Sequence, residues 1–224
     1  RERHLQRGAL FHRMAEQLLN GVLPEALTRQ AASNDLADWW ASFLDLQPSL
    51  PAGRRRPEWT IALPLGDQRL VAKFDLLIQA EGGRIAIYDW KTTTLQPRPD
   101  ILREDIQTRL YLVAASEVLG IEPDAISLTY WHAAFPSQPI TIPGSAGRHQ
   151  RDRADLLELT ASIAGAPEES FTLTDDERQC RFCIYRSYCE RGTGAGVAKA
   201  LDEEPMPEYD PESFDFNQAA EVAF

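Results

Sequence analysis

The sequence predicts a mixed α/β fold, an α+β arrangement in which helices flank one mixed sheet. Three observations support this prediction. Amphipathic helical segments lie near the start and in the middle of the chain, three strand-like segments lie between them, and a further strand-like segment follows the central helix. A helix, a three-stranded meander, a helix and a strand in this order favour one sheet with helices packed against it.

Two helical segments are predicted before the first strand. Apolar residues recur at helical spacing over residues 5–19, and Asn20-Gly21 then provides a common helix stop. A second segment, residues 35–46, carries its apolar residues on one face. The sequence PSLPAGRRRP that follows predicts a loop.

Three strands are predicted next, over residues 59–65, 69–79 and 84–90. The turn signals Gly66-Asp67 and Gly82-Gly83 separate them, which indicates a β-meander. Residues 101–119 then predict one long amphipathic helix. Residues 125–132 predict another strand, and residues 149–164 a further helix.

The composition favours one main domain with an acidic extension. The chain has 224 residues, 43% of them hydrophobic, which is enough for one sizeable core. Its net charge is −11, but residues 201–224 hold eight acidic and no basic residues, so the rest is nearly neutral. We therefore expect a domain over 1–190 and a disordered acidic tail over 191–224. No apolar run suits a membrane span or a signal peptide, so we expect a cytoplasmic protein that could be part of a longer chain.

Two aspartates and a lysine lie where the predicted strands end. Asp75 lies on the second strand, and Asp89 and Lys91 stand two residues apart at the end of the third. Residues two apart on a strand share a face, and antiparallel neighbours bring their ends together, so Asp75 and Asp89 can converge on one cation. Two carboxylates bind Mg²⁺ or Mn²⁺, and a nearby ammonium can orient water or stabilise charge on a phosphate. A bare Asp-x-Lys at a strand end is also common in proteins without such a site.

Four short motifs follow one another along the chain. They are Gly8-x-x-x-His12, Glu58 with Asp75, Asp89-x-Lys91, and Gln107-x-x-x-Tyr111. In this order and at these distances the chain resembles the PD-(D/E)XK nuclease superfamily, in particular the RecB-like exonucleases, the AddB nuclease domain and the cluster-bearing CRISPR-associated nucleases. The resemblance covers roughly residues 8–190 and implies a restriction-endonuclease-like core.

The resemblance also implies a set of metal ligands. His12 would reach in from the first helix, Asp75 and Asp89 would be the acidic ligands, and the backbone carbonyl of Trp90 would complete the shell around Mg²⁺ or Mn²⁺. Lys91 would be the catalytic lysine.

Further residues are assigned supporting roles by the same resemblance. Gln107 and Tyr111 match the QxxxY motif that lies near the site and the DNA. Glu16 and Glu58 are weaker candidates for a direct role. A packed histidine at His12, or a plain helix flank at Gln107 and Tyr111, is the structural alternative.

The three cysteines fall within ten residues, as Cys180-x2-Cys183-x5-Cys189. An odd number at this spacing argues against a disulfide framework and favours a metal or cluster site. The resemblance implies a structural 4Fe-4S cluster whose fourth cysteine lies upstream of Gly8. This chain has no fourth cysteine, so we expect that ligand before residue 1, with His4 as a substitute. Zinc, or a set of packed thiols, is the alternative.

The expected function is a metal-dependent DNA nuclease, an exonuclease of repair or recombination with a helicase or repair-complex subunit as a candidate partner. One alternative is a catalytically silent nucleic-acid-binding or scaffolding domain. Another is a zinc-binding interaction module, which leaves the Asp and Lys pattern unexplained. The acidic tail is either solvated or a phosphate mimic that restrains the nuclease.

Overall fold

The structure is a computed structural model that describes residues 2–176 together with Cys180, Cys183, Tyr185 and Cys189. The chain divides into two compact units, Arg1–Gly165 and Ala166–Phe224. The first unit holds the sheet and its helices. The predicted boundary at residue 190 and the acidic tail lie outside the described residues.

Six helices are present within the first unit. They are α1 (Glu2–Leu19), α2 (Pro24–Ser33), α3 (Ala37–Leu46), α4 (Pro99–Glu104), α5 (Ile106–Leu119) and α6 (Ala146–Gly165). The sequence interpretation missed α2, which begins at a proline in its first turn, a position where the missing N–H costs nothing. None of the described helices has the length and apolar character needed to cross a membrane.

The prediction of one long helix over 101–119 is wrong, because two helices meet at Asp105. The backbone of Asp105 is extended, with φ −62° and ψ 137°. Its side chain accepts a hydrogen bond from the Gln107 backbone N–H at 2.8 Å and thereby caps α5. This cap fixes the first turn of α5, where Gln107 lies.

One five-stranded mixed sheet forms the centre of the unit, in the order β1 (Gly53–Leu65), β2 (Gln68–Ala80), β3 (Ile85–Lys91), β4 (Ile126–His132) and β5 (Ile140–Pro143). The first three strands are an antiparallel meander, as predicted. Strand β4 pairs with β3 in parallel, and β5 returns antiparallel to β4. Strand β5 was not predicted because it has only four residues. Strand β1 begins at Gly53, so part of the predicted loop is strand.

Helices cover both faces of this sheet. Helices α1–α3 pack on one face in an aromatic cluster that includes Phe11, Phe43, Trp90 and Trp131, all 1% exposed or less. Helices α5 and α6 cover the other face, where Tyr111 and other residues of α5 pack against apolar residues of β1–β5. The predicted mixed sheet flanked by helices is thus confirmed, and it agrees with a restriction-endonuclease-like fold.

The pleat of β2 inverts at Asp75. Residues two apart on a regular strand share a face, but Phe74 packs on the α5 face whereas Leu76 packs on the α1 face. Opposite Asp75 in the β1–β2 register lies Glu58, whose φ of +49° is in the left-handed region that a non-glycine residue rarely adopts. Because of this inversion, residues from both faces of the sheet can approach Asp75.

Candidate active site

The β2–β3 ladder ends where the candidate acidic residues begin. Its last pair is Leu76 with Tyr88, and Asp75 and Asp89 follow directly beyond that pair. Asp75 Oδ2 accepts a hydrogen bond from the Trp90 backbone N–H at 2.7 Å, so the side chain of β2 bridges to β3. The two aspartates therefore lie side by side at the point where the strands stop pairing. The role of the Trp90 carbonyl stays a prediction.

Helix α1 places His12 beside Asp75. His12 Nδ1 lies 3.2 Å from Asp75 Oδ1, in hydrogen-bond contact. Burial opposes protonation of the ring, but the bond to Asp75 and the charges of Asp75, Asp89 and Glu58 outweigh it, so the pKa of His12 is raised. The ring thus lies in a strongly negative environment, of the kind that attracts a cation.

His12, Glu58 and Asp75 form a ligand set. One ligand atom from each lies within 4.8 Å of the others, and this is the one such group of three among the described residues. Carboxylate oxygens with an imidazole nitrogen suit Mg²⁺ or Mn²⁺. The donor set therefore fits a divalent cation, and Glu58 belongs to it more directly than the sequence indicated. Glu16, the other weak candidate, is not in this group.

Asp89 is buried beside this set, with 4% of its surface exposed. Its Oδ1 accepts a hydrogen bond from Gln107 Nε2 at 3.1 Å. Its buried Oδ2 forms an ion pair with Lys91 Nζ at 2.7 Å, but no described residue gives it a well-oriented hydrogen bond. Burial and the Asp75 charge raise the pKa of Asp89 to about 6, against the lowering effect of Lys91. A buried carboxylate oxygen that lacks a well-oriented hydrogen bond, such as Asp89 Oδ2, can be contacted by a cation.

A hydrogen-bond network from α5 holds Lys91. Lys91 Nζ donates to Gln107 Oε1 at 2.8 Å. Gln107 Nε2 also donates to Tyr111 OH at 3.1 Å, and Tyr111 OH donates to the backbone carbonyl of Lys73. Burial raises the pKa of Tyr111 to about 12, so its hydroxyl keeps its proton. The predicted residues Gln107 and Tyr111, one helical turn apart, thus tie both β3 and β2 to α5.

Two residues of β4 lie behind Lys91, and neither was predicted from the sequence. Lys91 Nζ lies 5.3 Å from the centre of the Tyr130 ring. His132 pairs with Lys91 in the parallel register and is 1% exposed, and its Nδ1 has no partner among the described residues. Burial and the Lys91 charge lower the pKa of His132. Only the parallel pairing of β3 with β4 brings these residues to the lysine.

A close approach sets the distance between α1 and the end of β3. Gly8 lies one turn before His12, and a Cβ added at Gly8 would lie 2.8 Å from Thr92 Oγ1. This distance is too short for a side chain. The glycine of the predicted Gly8-x-x-x-His12 motif thus allows α1 to pack directly on the residue that follows Lys91.

A second lysine lies on the outer side of the ligand set. Lys73 Nζ is 2.6 Å from Glu58 Oε2, and the side chain of Lys73 is 59% exposed. Glu16 of α1 is close enough to add to the negative field around this ammonium. The site thus contains two lysine–carboxylate pairs, one buried and one near solvent.

The cysteines belong to the second compact unit. Cys180 and Cys189 are half-buried, Cys183 is exposed, and all three are free thiols. The Cys183 backbone N–H donates to the Cys180 carbonyl at 3.3 Å. The side chain of His4, the alternative cluster ligand, lies outside the described part of the chain.

Fold and site together define a protein that can hold a divalent cation beside an ammonium group, at the edge of a sheet covered on both faces. The family model of the PD-(D/E)XK nuclease superfamily matches residues 1–190, and the chain belongs to this superfamily of metal-dependent nucleases.

Other comparisons add little detail. A solved structure described as "Crystal structure of SSO0001" superposes with a TM-score of 0.42 and 15% sequence identity, over 83% of this chain and 96% of that chain. The comparison with curated proteins found no match.

Proposed function

We propose that this protein is a divalent-metal-dependent DNA nuclease that hydrolyses phosphodiester bonds, and that it acts as an exonuclease of the RecB/AddB type in repair or recombination. The observation that carries the proposal is the position of Lys91. Its ammonium lies 2.7 Å from the buried Asp89 carboxylate, next to the His12, Glu58 and Asp75 ligand set. Metal ligands with a lysine ammonium beside them suit the binding of a scissile phosphate.

Each residue has a distinct part in this chemistry. His12, Glu58, Asp75 and Asp89 would hold Mg²⁺ or Mn²⁺. The ion would supply a water of lowered pKa and neutralise charge on the phosphate. The Lys91 ammonium, fixed by Gln107, would orient the attacking water and stabilise the charge that develops on the phosphate oxygens. The P–O bond to the leaving oxygen would break as the water oxygen bonds to phosphorus. The attacking water would release one proton to solvent, and solvent would protonate the leaving oxygen.

Basic side chains on the edge strand β1 support DNA as the partner. Arg54 and Arg55 are exposed, and the Arg56 guanidinium lies 4.4 Å from the centre of the Trp59 ring. This arginine group ends two residues before Glu58 on the same strand. Arginines beside the site supply the phosphate contacts that an acidic protein needs for DNA binding.

The test is cleavage of end-labelled single- and double-stranded DNA in Mg²⁺, Mn²⁺ and EDTA, comparing the protein with Lys91→Ala. We expect cleavage to require the divalent ion and to fall about a hundred- to thousandfold in the variant, since one group that stabilises the transition state is lost. Arg69→Gln is the matched control, because Arg69 is exposed and six residues from Asp75 on β2, about 20 Å away.

Two results would contradict the proposal. If the protein and Lys91→Ala both bind DNA but cleave nothing, the scaffold alternative is favoured. If cleavage persists at full rate in Lys91→Ala, the assigned site is wrong. Labelling each end separately gives the polarity and separates exonuclease from endonuclease products.

The cysteines support a second part of the proposal, a structural 4Fe-4S cluster. Three thiols within ten residues have the donor chemistry that iron–sulfur clusters and zinc require, although this chain supplies three of the four usual ligands. Iron, sulfide and zinc analysis of protein purified without oxygen tests this directly. Iron with a visible chromophore that is lost in Cys183→Ser supports the cluster, whereas stoichiometric zinc without colour supports the alternative.

A further inference from the structure

Lys73, a lysine outside the predicted site, pairs with one residue of the ligand set. It lies on β2 two residues before Asp75, and its ammonium reaches diagonally across to Glu58 Oε2 at 2.6 Å. Glu58 is itself only 17% exposed and belongs to the ligand set. The ammonium therefore occupies a carboxylate that a divalent cation would also use.

The backbone of Lys73 is held by a hydrogen bond, whereas its exposed side chain has room to move. Its carbonyl accepts the hydrogen bond from Tyr111 OH, which the Gln107 network connects to Lys91. Its side chain is 59% exposed, about twice the 28% of Lys91. Lys91 has two polar partners, but Glu58 is the one that the structure gives the Lys73 ammonium. The four-carbon side chain of Lys73 can therefore change its rotamer while the backbone stays in position.

A cation bound between His12, Glu58 and Asp75 would repel this ammonium and take its partner. Both effects move the charge of Lys73 away from Glu58 and towards the solvent side of the site. A phosphate held at the metal would be the nearest anion there, and an ammonium binds phosphate as a compact charge with three donors.

We propose that Lys73 is a substrate-binding lysine that exchanges from Glu58 to a DNA phosphate when the divalent ion binds. This inference rests on the proposed function. Lys73 would thus contribute to DNA affinity in the presence of metal and oppose metal binding in the absence of DNA.

The first experiment measures Mn²⁺ affinity without DNA by calorimetric titration. Lys73→Met removes the competing ammonium but keeps an apolar stem, so Mn²⁺ should bind about two- to fivefold more tightly, the size expected for release of an exposed ion pair. Lys73→Arg keeps the charge and should resemble the unchanged protein, as should the distant control Arg69→Gln. Weaker Mn²⁺ binding in Lys73→Met would overturn the inference, because it would show that the lysine supports the ligand set.

The second experiment measures DNA affinity in the Lys91→Ala background, where bound DNA is cut at least about a hundredfold more slowly. With Mn²⁺, Lys73→Met should weaken binding of an end-labelled oligonucleotide severalfold and reduce the slope of log K against log salt by about one phosphate contact. With EDTA, the same substitution should change neither value, because Glu58 then holds the ammonium. An equal loss in Mn²⁺ and EDTA, or no loss in either, would overturn the exchange.

These outcomes separate the inference from the proposed function. If the unchanged protein binds neither Mn²⁺ nor DNA, both fail together. If it binds metal and cleaves DNA but Lys73→Met behaves like Arg69→Gln, the nuclease assignment stands and the exchange is wrong.

Discussion

The two sides of the candidate site differ in how far their polar groups are already paired. On the α5 side, Lys91, Gln107 and Tyr111 form one connected hydrogen-bond network with Asp89 Oδ1, whereas Asp89 Oδ2 stays open to a cation. On the α1 side, His12, Glu58 and Asp75 point ligand atoms at one small volume, and an exposed lysine pairs with one of them.

This difference separates two tasks within one site. A network of buried, mutually bonded groups keeps its geometry without a ligand, as the positioning of a catalytic ammonium requires. Carboxylates that repel each other beside an imidazole gain stability when a divalent cation arrives. We therefore expect the α5 side to determine the rate of the chemistry and the α1 side to determine metal affinity.

The largest expected effect is on the α1 side, with Asp75→Ala. Asp75 contacts His12 through Oδ1 and the Trp90 N–H through Oδ2, so its loss removes a ligand and the bridge between β2 and β3. We expect cleavage to fall about a thousandfold or more and Mn²⁺ binding to be lost. Cleavage assays and calorimetric titration measure the two effects. The hairpin substitution Asp67→Ala is the control, and Mn²⁺ binding of unchanged strength in Asp75→Ala would break the division of tasks.

A smaller effect with a different profile is expected from Gln107→Leu on the α5 side. Leucine fills a similar volume but leaves Lys91 and Asp89 without their amide partner. We expect kcat to fall about ten- to hundredfold, as for other residues that orient a metal site. The free energy of unfolding should fall by about 1–3 kcal/mol, since buried polar groups lose a partner. Mn²⁺ affinity should fall much less than in Asp75→Ala, because the contact between His12 and Asp75 is kept. A large loss of Mn²⁺ affinity with normal kcat would reverse the assignment of the two sides.

The smallest expected effect is a pH dependence of stability from His132, behind Lys91. Because burial and Lys91 lower its pKa in the folded state, the unfolded chain takes up a proton near the ordinary value of 6.5 while the folded chain resists it. The stability from neutral His132 is complete above pH 6.5 and is lost as the pH falls through the lowered pKa. Denaturant unfolding at pH 7.5 and 5.5 should show a larger loss for the unchanged protein than for His132→Gln. Asp89 titrates with the opposite sign in both proteins, so the difference isolates His132, and equal losses would contradict the prediction.

Local patterns, together with the motif resemblance that singled out Gln107 and Tyr111, were enough to predict the parts of the site that lie on single elements. Asp89 and Lys91 share a face because a strand has a period of two, and Gln107 and Tyr111 share one because a helix has a period near four. The sheet and its meander followed from alternation and glycine turns. None of these inferences needed a long-range contact.

The parts that sequence reasoning missed depend on pairings between elements. Glu58 enters the ligand set because its left-handed backbone and the inverted pleat at Asp75 turn it towards the site, and a glutamate carries no signal of a positive φ. His132 reaches Lys91 only through the parallel register of β3 and β4. The break at Asp105 was missed because the apolar pattern continues across it, although an aspartate is a common helix cap.

The close approach at Gly8 limits which residue can occupy this position on α1. His12 stands on one end of the gap between α1 and β3, and Lys91 precedes the residue on the other end. The two segments are so close that only glycine fits at residue 8 without a shift, since a Cβ there would lie 2.8 Å from Thr92 Oγ1. Added bulk at Gly8 must displace the Thr92 hydroxyl, which belongs to the residue directly after Lys91. A residue with no functional group therefore lets the helix that carries His12 lie close to the end of the strand that carries Lys91.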